Sequence, residues 1–439
     1  MANTIGPLVR KESIAGSDAH LDPTYRRIGW RILPLLMICY VFSYVDRVNI
    51  GFAKLQMAGD LGINDAVYGL GAGMFFLGYV LFGVPSNLLL ERIGARKTMS
   101  GIMVLWGLAA SAMMFVHDSR SFYVLRFFLG VFEAGFAPGV LFYLTYWYSP
   151  VRTAGGMAVF LLAAPIGGIV GGPVSSWIMT SFDGTYGLRG WQWLFPLEGL
   201  PCVLLAIVVF LTLDDTPAHA TWLTAQEKEL LAKDISRFTR PGDHSFKGIL
   251  ADWRVYVMAL GYFCLISGLY AVTFWLPTIL KQNGAASTMS IGFYSSIPYI
   301  AAIPAMILLA RSSDRRNERR WHSALPAFVG AIALGVTAAT PSHFTISLVA
   351  ITIATAAIFG AYAVNWSIPT SYLKGQGAAA GIAFINSIGL LGGFISPTLI
   401  GRLQVSTGSL EAGLFAMVAL LVVGGVAILM NRIRALAPT

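Results

Sequence analysis

Phe42-Ser43-Tyr44-Val45-Asp46-Arg47-Val48-Asn49 sets an acid beside a base inside an apolar run from about Trp30 to Ala53. A bilayer-crossing helix needs roughly 20 mostly apolar residues, and this run supplies them. At the centre of such a helix each charge costs roughly 2.5–3.5 kcal/mol on insertion scales, so the pair does not face lipid. It faces protein, water or cargo.

Similar runs fill the chain. Of 439 residues 56% are hydrophobic and 12% charged, against a charged share of about 25% in soluble domains. The pattern predicts an all-α membrane protein with twelve transmembrane helices, near 30–54, 66–90, 97–116, 120–147, 154–181, 190–213, 253–281, 289–310, 322–340, 344–372, 376–403 and 410–431. They divide into a six-helix bundle over 1–213 with a short arm, a linker over 214–252, and a second six-helix bundle over 253–439. In the linker, Leu223-Thr224-Ala225-Gln226-Glu227 opens an amphipathic helix to about Phe238, with Thr224 as N-cap and Glu227 as its capping-box partner.

The net charge of +9 does not form a nucleic-acid patch, because the positives cluster in alternate loops. Arg26, Arg27 and Arg31 precede the first helix, Arg92, Arg96 and Lys97 follow the second, and Arg311, Arg315, Arg316, Arg319 and Arg320 follow the eighth. The positive-inside rule places these loops and both termini in the cytoplasm. The polar arm to about Arg26 lacks a signal-peptide core, so the first helix is expected to be retained. Cys39, Cys202 and Cys264 lie in apolar runs without metal-ligand spacing, and neither a disulfide nor a cofactor is expected.

Faint repetition links the halves. Asn87 to Lys97, carrying Glu91, Arg92 and Arg96, is matched at an offset of 223 by Ala310 to Arg320, carrying Asp314 and Arg315. Gly171-Gly172 and Gly392-Gly393 stand 221 apart. Duplicated bundles with a site near the midplane between them are a common plan among transporters.

Ionisable residues away from helix ends are few: Asp46 and Arg47, Arg126 and Glu133, and Glu198. Arg126 and Glu133 share a face of the fourth helix, with Gly130 between them leaving room for close approach. Arginine suits bidentate grip on a carboxylate, so Arg47 and Arg126 are assigned to an anionic cargo. No histidine lies inside a span, which leaves Asp46 and Glu133 as proton carriers. Glu198 is read as structural. Tyr44, Tyr79, Trp275, Asn365, Trp366 and Asn386 are candidates to line the same cavity, Asn386 foremost because an amide in an apolar helix needs a partner.

Several motifs carry a family resemblance: Glu91-Arg92-Ile93-Gly94-Ala95-Arg96-Lys97, Tyr44 through Asn49, Gly83-Val84-Pro85-Ser86-Asn87, Arg126 with Glu133-Ala134-Gly135, and Gly190-Trp191-Gln192-Trp193-Leu194-Phe195. Together they resemble the major facilitator superfamily and, within it, anion:cation symporters for sugar acids, tartrate, phthalate and hydroxyphenylacetate. The first motif departs from the superfamily pattern in having Asn87 for glycine and Glu91 for aspartate. The resemblance implies proton coupling at Asp46 and Glu133, substrate binding at Arg47 and Arg126, a gate at Glu91, Arg92, Arg96, Asp314 and Arg315, and residence in a bacterial inner membrane.

The resulting expectation is a monomeric importer of a small organic anion with protons, working by alternating access. Emptied carboxylates would pair with the arginines on the return. Trp275 and Trp366 tip the cargo toward aromatic over hydroxylated carboxylates. The rivals are a proton-coupled exporter of organic cations or drugs on the same fold, and a membrane sensor that binds the anion without moving it. An enzyme is excluded for want of a metal spacing, a phosphate loop or any other catalytic set.

Overall fold

The structure, a computed structural model, describes residues 21–236, 251–373 and 376–431. Among these residues there are twelve helices or helix pairs long and apolar enough to span a bilayer. In order they are Asp22–Leu61, Asp65–Ile93, Ala95–Phe115, Ser119–Trp147, Gly155–Ser181, Gly190–Thr212, Trp253–Gln282, Thr288–Arg316, Arg320–Ala339, Phe344–Tyr372, Gly381–Thr407 and Leu410–Met430, here the first to twelfth spans. Their outward faces are large apolar side chains such as Leu204, Leu211, Leu308 and Ile332, more than 60% exposed. Lipid is the solvent that such a surface suits.

Side-chain caps mark several starts. Asn64 accepts from the Val67 amide before the second span, and Asp118 and Ser287 form capping boxes before the fourth and eighth. Three spans expected as continuous are broken, the fifth at Leu162. The fourth divides after Glu133, at Ala134 and Gly135, and the tenth divides around Trp366 to Ile368. The first runs further than expected at both ends and has Pro34 at its first helical half.

Packing repeats with a shift of six spans. The first packs on the fifth and sixth, the second on the fourth, and the third on the sixth; the seventh packs on the eleventh and twelfth, the eighth on the tenth, and the ninth on the twelfth. The halves meet through the first and seventh, second and eleventh, and fifth and eighth spans.

The hydrogen bonds between the halves among the described residues run from the middle of the spans, at Tyr44 and Arg47, to the end that carries the Gly62 turn. Tyr68 Oη donates to the Phe274 carbonyl at 2.9 Å, Ser296 Oγ to the Ile169 carbonyl at 2.6 Å, and Thr398 Oγ1 to the Gly69 carbonyl at 3.4 Å. Backbones touch here. A Cβ on Gly69 would stand 2.1 Å from the Pro397 carbonyl oxygen, and one on Gly172 would stand 2.6 Å from that of Gly292. Along the second span no residue from Tyr68 to Tyr79 is exposed, while from Leu81 to Ile93 exposed residues cover more than half the circumference. The halves are therefore closed at the Gly62 end and parted at the end bearing the termini.

The linker helix, Ala225–Ser236, is tied to the base of the first span. Tyr25 Oη donates to Asp234 at 2.7 Å, and Arg27 pairs with Glu227 at 3.2 Å. The expected capping box is present: Glu227 N donates to Thr224 Oγ1 at 3.2 Å and Thr224 N to Glu227 Oε2 at 2.9 Å. Residues 237 and 238 of the expected helix lie outside the described residues. Trp222 stacks on Trp147 with centroids 5.7 Å apart.

Two predictions follow from these contacts. Gly69→Leu forces the closed end open by overpacking, at a cost of about 1–3 kcal/mol, and a lowered Tm of the purified protein checks it. The Thr224 amide holds the Glu227 carboxyl below its ordinary range. Its contribution to stability is thus complete above the unfolded value, about 4.3, and is lost as pH falls through the lower folded value. Glu227→Gln should lower the Tm at pH near 7 and leave it equal to that of the parent at pH near 3.

Candidate substrate and proton site

Arg47 lies mid-way along the first span, 5% exposed, where the two halves first touch. Its Nε donates to Glu133 Oε1 at 2.9 Å, its Nη2 is ion-paired with the same oxygen, and its Nη1 donates to Tyr270 Oη on the seventh span at 3.1 Å. The same guanidinium lies 5.3 Å from the ring centroids of Phe75 and Tyr79. Ser43 Oγ adds a third donor to Glu133 Oε1, at 2.6 Å. Glu133 Oε2 is buried without a partner, so all the donors to this carboxyl fall on one of its two oxygens. The break in the fourth span directly after Glu133 puts this carboxyl at a helix end.

Arg126 is fully buried on the same span. Its Nη2 reaches the Ala72 carbonyl at 3.4 Å, its guanidinium lies 5.2 Å from the Phe75 centroid, and its Nε has no partner. Among the described residues no carboxylate comes within 4.0 Å of it, so the expected pairing of both arginines with both acids is not what the structure holds. Arg47 and Arg126 flank one ring, that of Phe75. The room expected at Gly130 is filled by the second span, since a Cβ there would stand 1.9 Å from the Phe75 carbonyl oxygen.

Asp46 turns away from both arginines. Trp106 Nε1 donates to its Oδ2 at 2.7 Å and Cys202 Sγ approaches the same oxygen at 3.4 Å, both from within the first half. Successive helical residues point about 100° apart, which is why neighbours in sequence serve different surroundings.

The remaining candidates scatter. Tyr79 faces Arg47, and Tyr44 Oη meets Thr273 Oγ1 across the seam at 3.3 Å. Trp275, expected to line the cavity, is packed into the closed end, with Lys54 Nζ 3.8 Å from its ring centroid. Asn386 is half-buried and makes no hydrogen bond among the described residues, whereas Asn365, completely buried, has both amide atoms unpartnered. Trp366 packs edge-on to Tyr262, with centroids 4.8 Å apart. Glu91, Arg92 and Arg315 are exposed, and Asp314 pairs with Arg319 rather than with Arg315. The acid at the loop after the second span is Asp215, whose Oδ1 accepts from the Arg96 amide at 2.8 Å. That carboxylate sits where a side chain at Gly94, held at φ 92°, would project.

Lys54 escaped the reading of the sequence because it stood at the edge of the predicted helix. It is 7% exposed, pairs with Asp65 at 2.6 Å and donates to Thr278 Oγ1 on the seventh span at 3.2 Å. Its spacing of seven from Arg47, two turns along one face, was the available signal.

The Major Facilitator Superfamily profile matches residues 36–397. The chain belongs to this superfamily. A protein of Agrobacterium vitis named for tartrate transport is 43% identical over 422 residues, covering 95% of this chain and 93% of its own. The quinolone resistance transporter of Acinetobacter baumannii is 43% identical over 404 residues, covering 91% and 92%. A crystal structure of a bacterial homologue of the human lysosomal transporter Spinster shares the fold, with a TM-score of 0.75 at 17% identity, covering 93% of this chain and 97% of that one. The protein is thus an integral membrane member of a transporter family and not an enzyme.

Lys54 ties the halves at the closed end, and Lys54→Met removes that tie. With Ser295→Cys, buried where the eighth span meets Gly172, as the reporter, the added Lys54→Met should raise labelling by a membrane-impermeant maleimide several-fold, about tenfold for each 1.4 kcal/mol withdrawn.

Proposed function

We propose that the protein imports a small organic anion together with protons across a bacterial inner membrane, by alternating access, with both termini in the cytoplasm. The observation that carries this reading is Arg126, a completely buried guanidinium with no carboxylate within 4.0 Å among the described residues, beside Arg47, whose carboxylate partner has a free oxygen. A buried cation left uncompensated is costly, and an anionic cargo compensates it.

With the termini inside, the structure corresponds to the inward-open form. Arg47 is then engaged by deprotonated Glu133, as suits an empty carrier returning without an unmatched charge. In the outward-open form a proton on Glu133 Oε2 removes the negative charge from that pair and frees Arg47 for a substrate carboxylate. Asp46, held apart by Trp106, acts as a proton site that does not compete for the arginines. The superfamily motif residues Glu91, Arg92, Arg96, Asp314 and Arg315 serve the gate on the parted side.

Two guanidiniums flanking Phe75 suit a diacid, and Arg47 is bonded to Tyr270 Oη and lies against the Tyr79 ring. The burial of Trp275 in the closed end withdraws one of the two residues that favoured an aromatic cargo. We therefore take a hydroxylated carboxylate of the tartrate kind as the cargo. A second reading, export of a drug, is favoured by the relative named for quinolone resistance. Quinolones of the antibacterial class carry a carboxylate, so this rival shares the arginine site, whereas export of simple organic cations is opposed by it.

The test is uptake into proteoliposomes of radiolabelled tartrate, other sugar acids and aromatic acids, with and without an inward proton gradient. Tartrate or a related acid should accumulate only with the gradient. Arg126→Ala and Arg47→Ala should each reduce uptake at least tenfold, and Glu133→Gln should exchange substrate but no longer concentrate it. Gradient-driven efflux of a quinolone with no uptake of any acid would replace this reading by the second.

A further inference from the structure

Glu198 on the sixth span is 3% exposed and belongs to none of the pairs described so far. Its two oxygens receive only neutral donors, Ser175 Oγ on Oε1 at 2.8 Å and Asn49 Nδ2 on Oε2 at 3.0 Å. No cation lies within 4.0 Å of it among the described residues. A structural carboxylate in this position would be an uncompensated buried charge, whereas a carboxyl that binds and releases a proton has a use for such a setting.

Its surroundings lead to Asp46. Asn49 stands one turn beyond Asp46 on the first span, and Cys202 one turn beyond Glu198 on the sixth. Cys202 Sγ lies 3.4 Å from Asp46 Oδ2 and 3.8 Å from the Glu198 carbonyl. Asp46 Oδ1 and Asn49 Oδ1 are both buried acceptors without a donor, on side chains each 1% exposed. A protonated Asp46 or a bridging water meets that need; an ionised Asp46 alone does not. Glu198 is about 12 Å along its helix from Gly190, at the closed end, and Asp46 is one turn deeper.

We infer that Glu198 is a third proton-binding carboxyl, the station between the Gly62 end of the molecule and Asp46, with Asn49 holding its carboxyl in place and a water completing the path to Asp46. In the transfer a water carries the proton. An O–H bond breaks at Glu198 as one forms on the water, and another O–H bond of that water breaks as one forms at Asp46 Oδ1. A carboxylate is left at Glu198 and total charge is unchanged, while Asn49 keeps its amide hydrogens. The titratable groups around Glu198 are Asp46 on the first span and Cys202 on its own; the fifth contributes Ser175, and the third contributes Trp106 to Asp46, neither of which titrates. The relay rests on the proton-coupled reading for its purpose, while its existence can be measured without any substrate.

The experiment is infrared difference spectroscopy of the full chain in lipid nanodiscs, stepped between roughly pH 5 and pH 9, a range that spans buried carboxyl titrations. Protonated carboxyls absorb apart from the rest of the protein. The parent protein should show carboxyl bands from Asp46, Glu133 and Glu198; E198Q should lose one of them, and D46N should shift the band that E198Q removes. Ser175→Ala keeps the carboxyl while removing one donor, so it should move the same band should E198Q fail to fold. Coincident spectra for the parent and E198Q, or for the parent and Ser175→Ala, overturn the inference. Bands lost in D46N and E133Q but retained in E198Q leave proton coupling standing and remove the relay. Failure of every acid to be transported leaves the spectroscopic result unaffected.

Discussion

Ionised groups are costly in a bilayer, and the first half of this protein is arranged around that cost. Arg47 and Glu133 answer it by neutralising each other at the centre, with Ser43 and Tyr270 completing the hydrogen bonds. A buried pair of this kind is a weak source of stability, because desolvation consumes much of the attraction. Its value lies in being exchangeable. In the proposed cycle a proton on the acid or an anion at the base replaces the partner, and each replacement changes which groups need to be covered.

The same constraint explains where the halves touch. They meet closely from Tyr44 and Arg47 to the Gly62 end, where glycines let backbones approach and Lys54 bridges Asp65 and Thr278. On the other side they part, and the second span is exposed over most of its circumference. Arg47, bonded to Tyr270 across the seam, thus stands at the boundary between closed and open regions. A group at this boundary is placed to respond both to what binds beside it and to the separation of the halves, as the proposed coupling requires.

The linker and the loop motif keep the remaining polar ends occupied. Asp215 caps the third span through the Arg96 amide, and Glu227 and Asp234 fasten the linker helix to the first span. These contacts all lie within the first half or between it and the linker. They can stiffen that half without restraining its movement against the other.

The sequence by itself determined the class of fold, because twelve long apolar segments leave no alternative to a helical bundle in lipid, and it exposed Asp46, Arg47, Arg126 and Glu133 because charges are rare there. The capping box at Thr224 was equally legible, being a contact between residues three apart. Partners were not. Asp46 and Arg47 are adjacent in the chain yet serve different neighbours, Arg126 lacks the acid expected for it, and Trp275 covers a lysine at the closed end. Gly130 was legible as a place of close approach, but not that the second span is what comes close there. Each of these was decided by helix rotation and by contacts between residues up to hundreds of positions apart, which a local pattern does not encode; only the packed tertiary structure says which face of a helix a charge occupies and what it meets there.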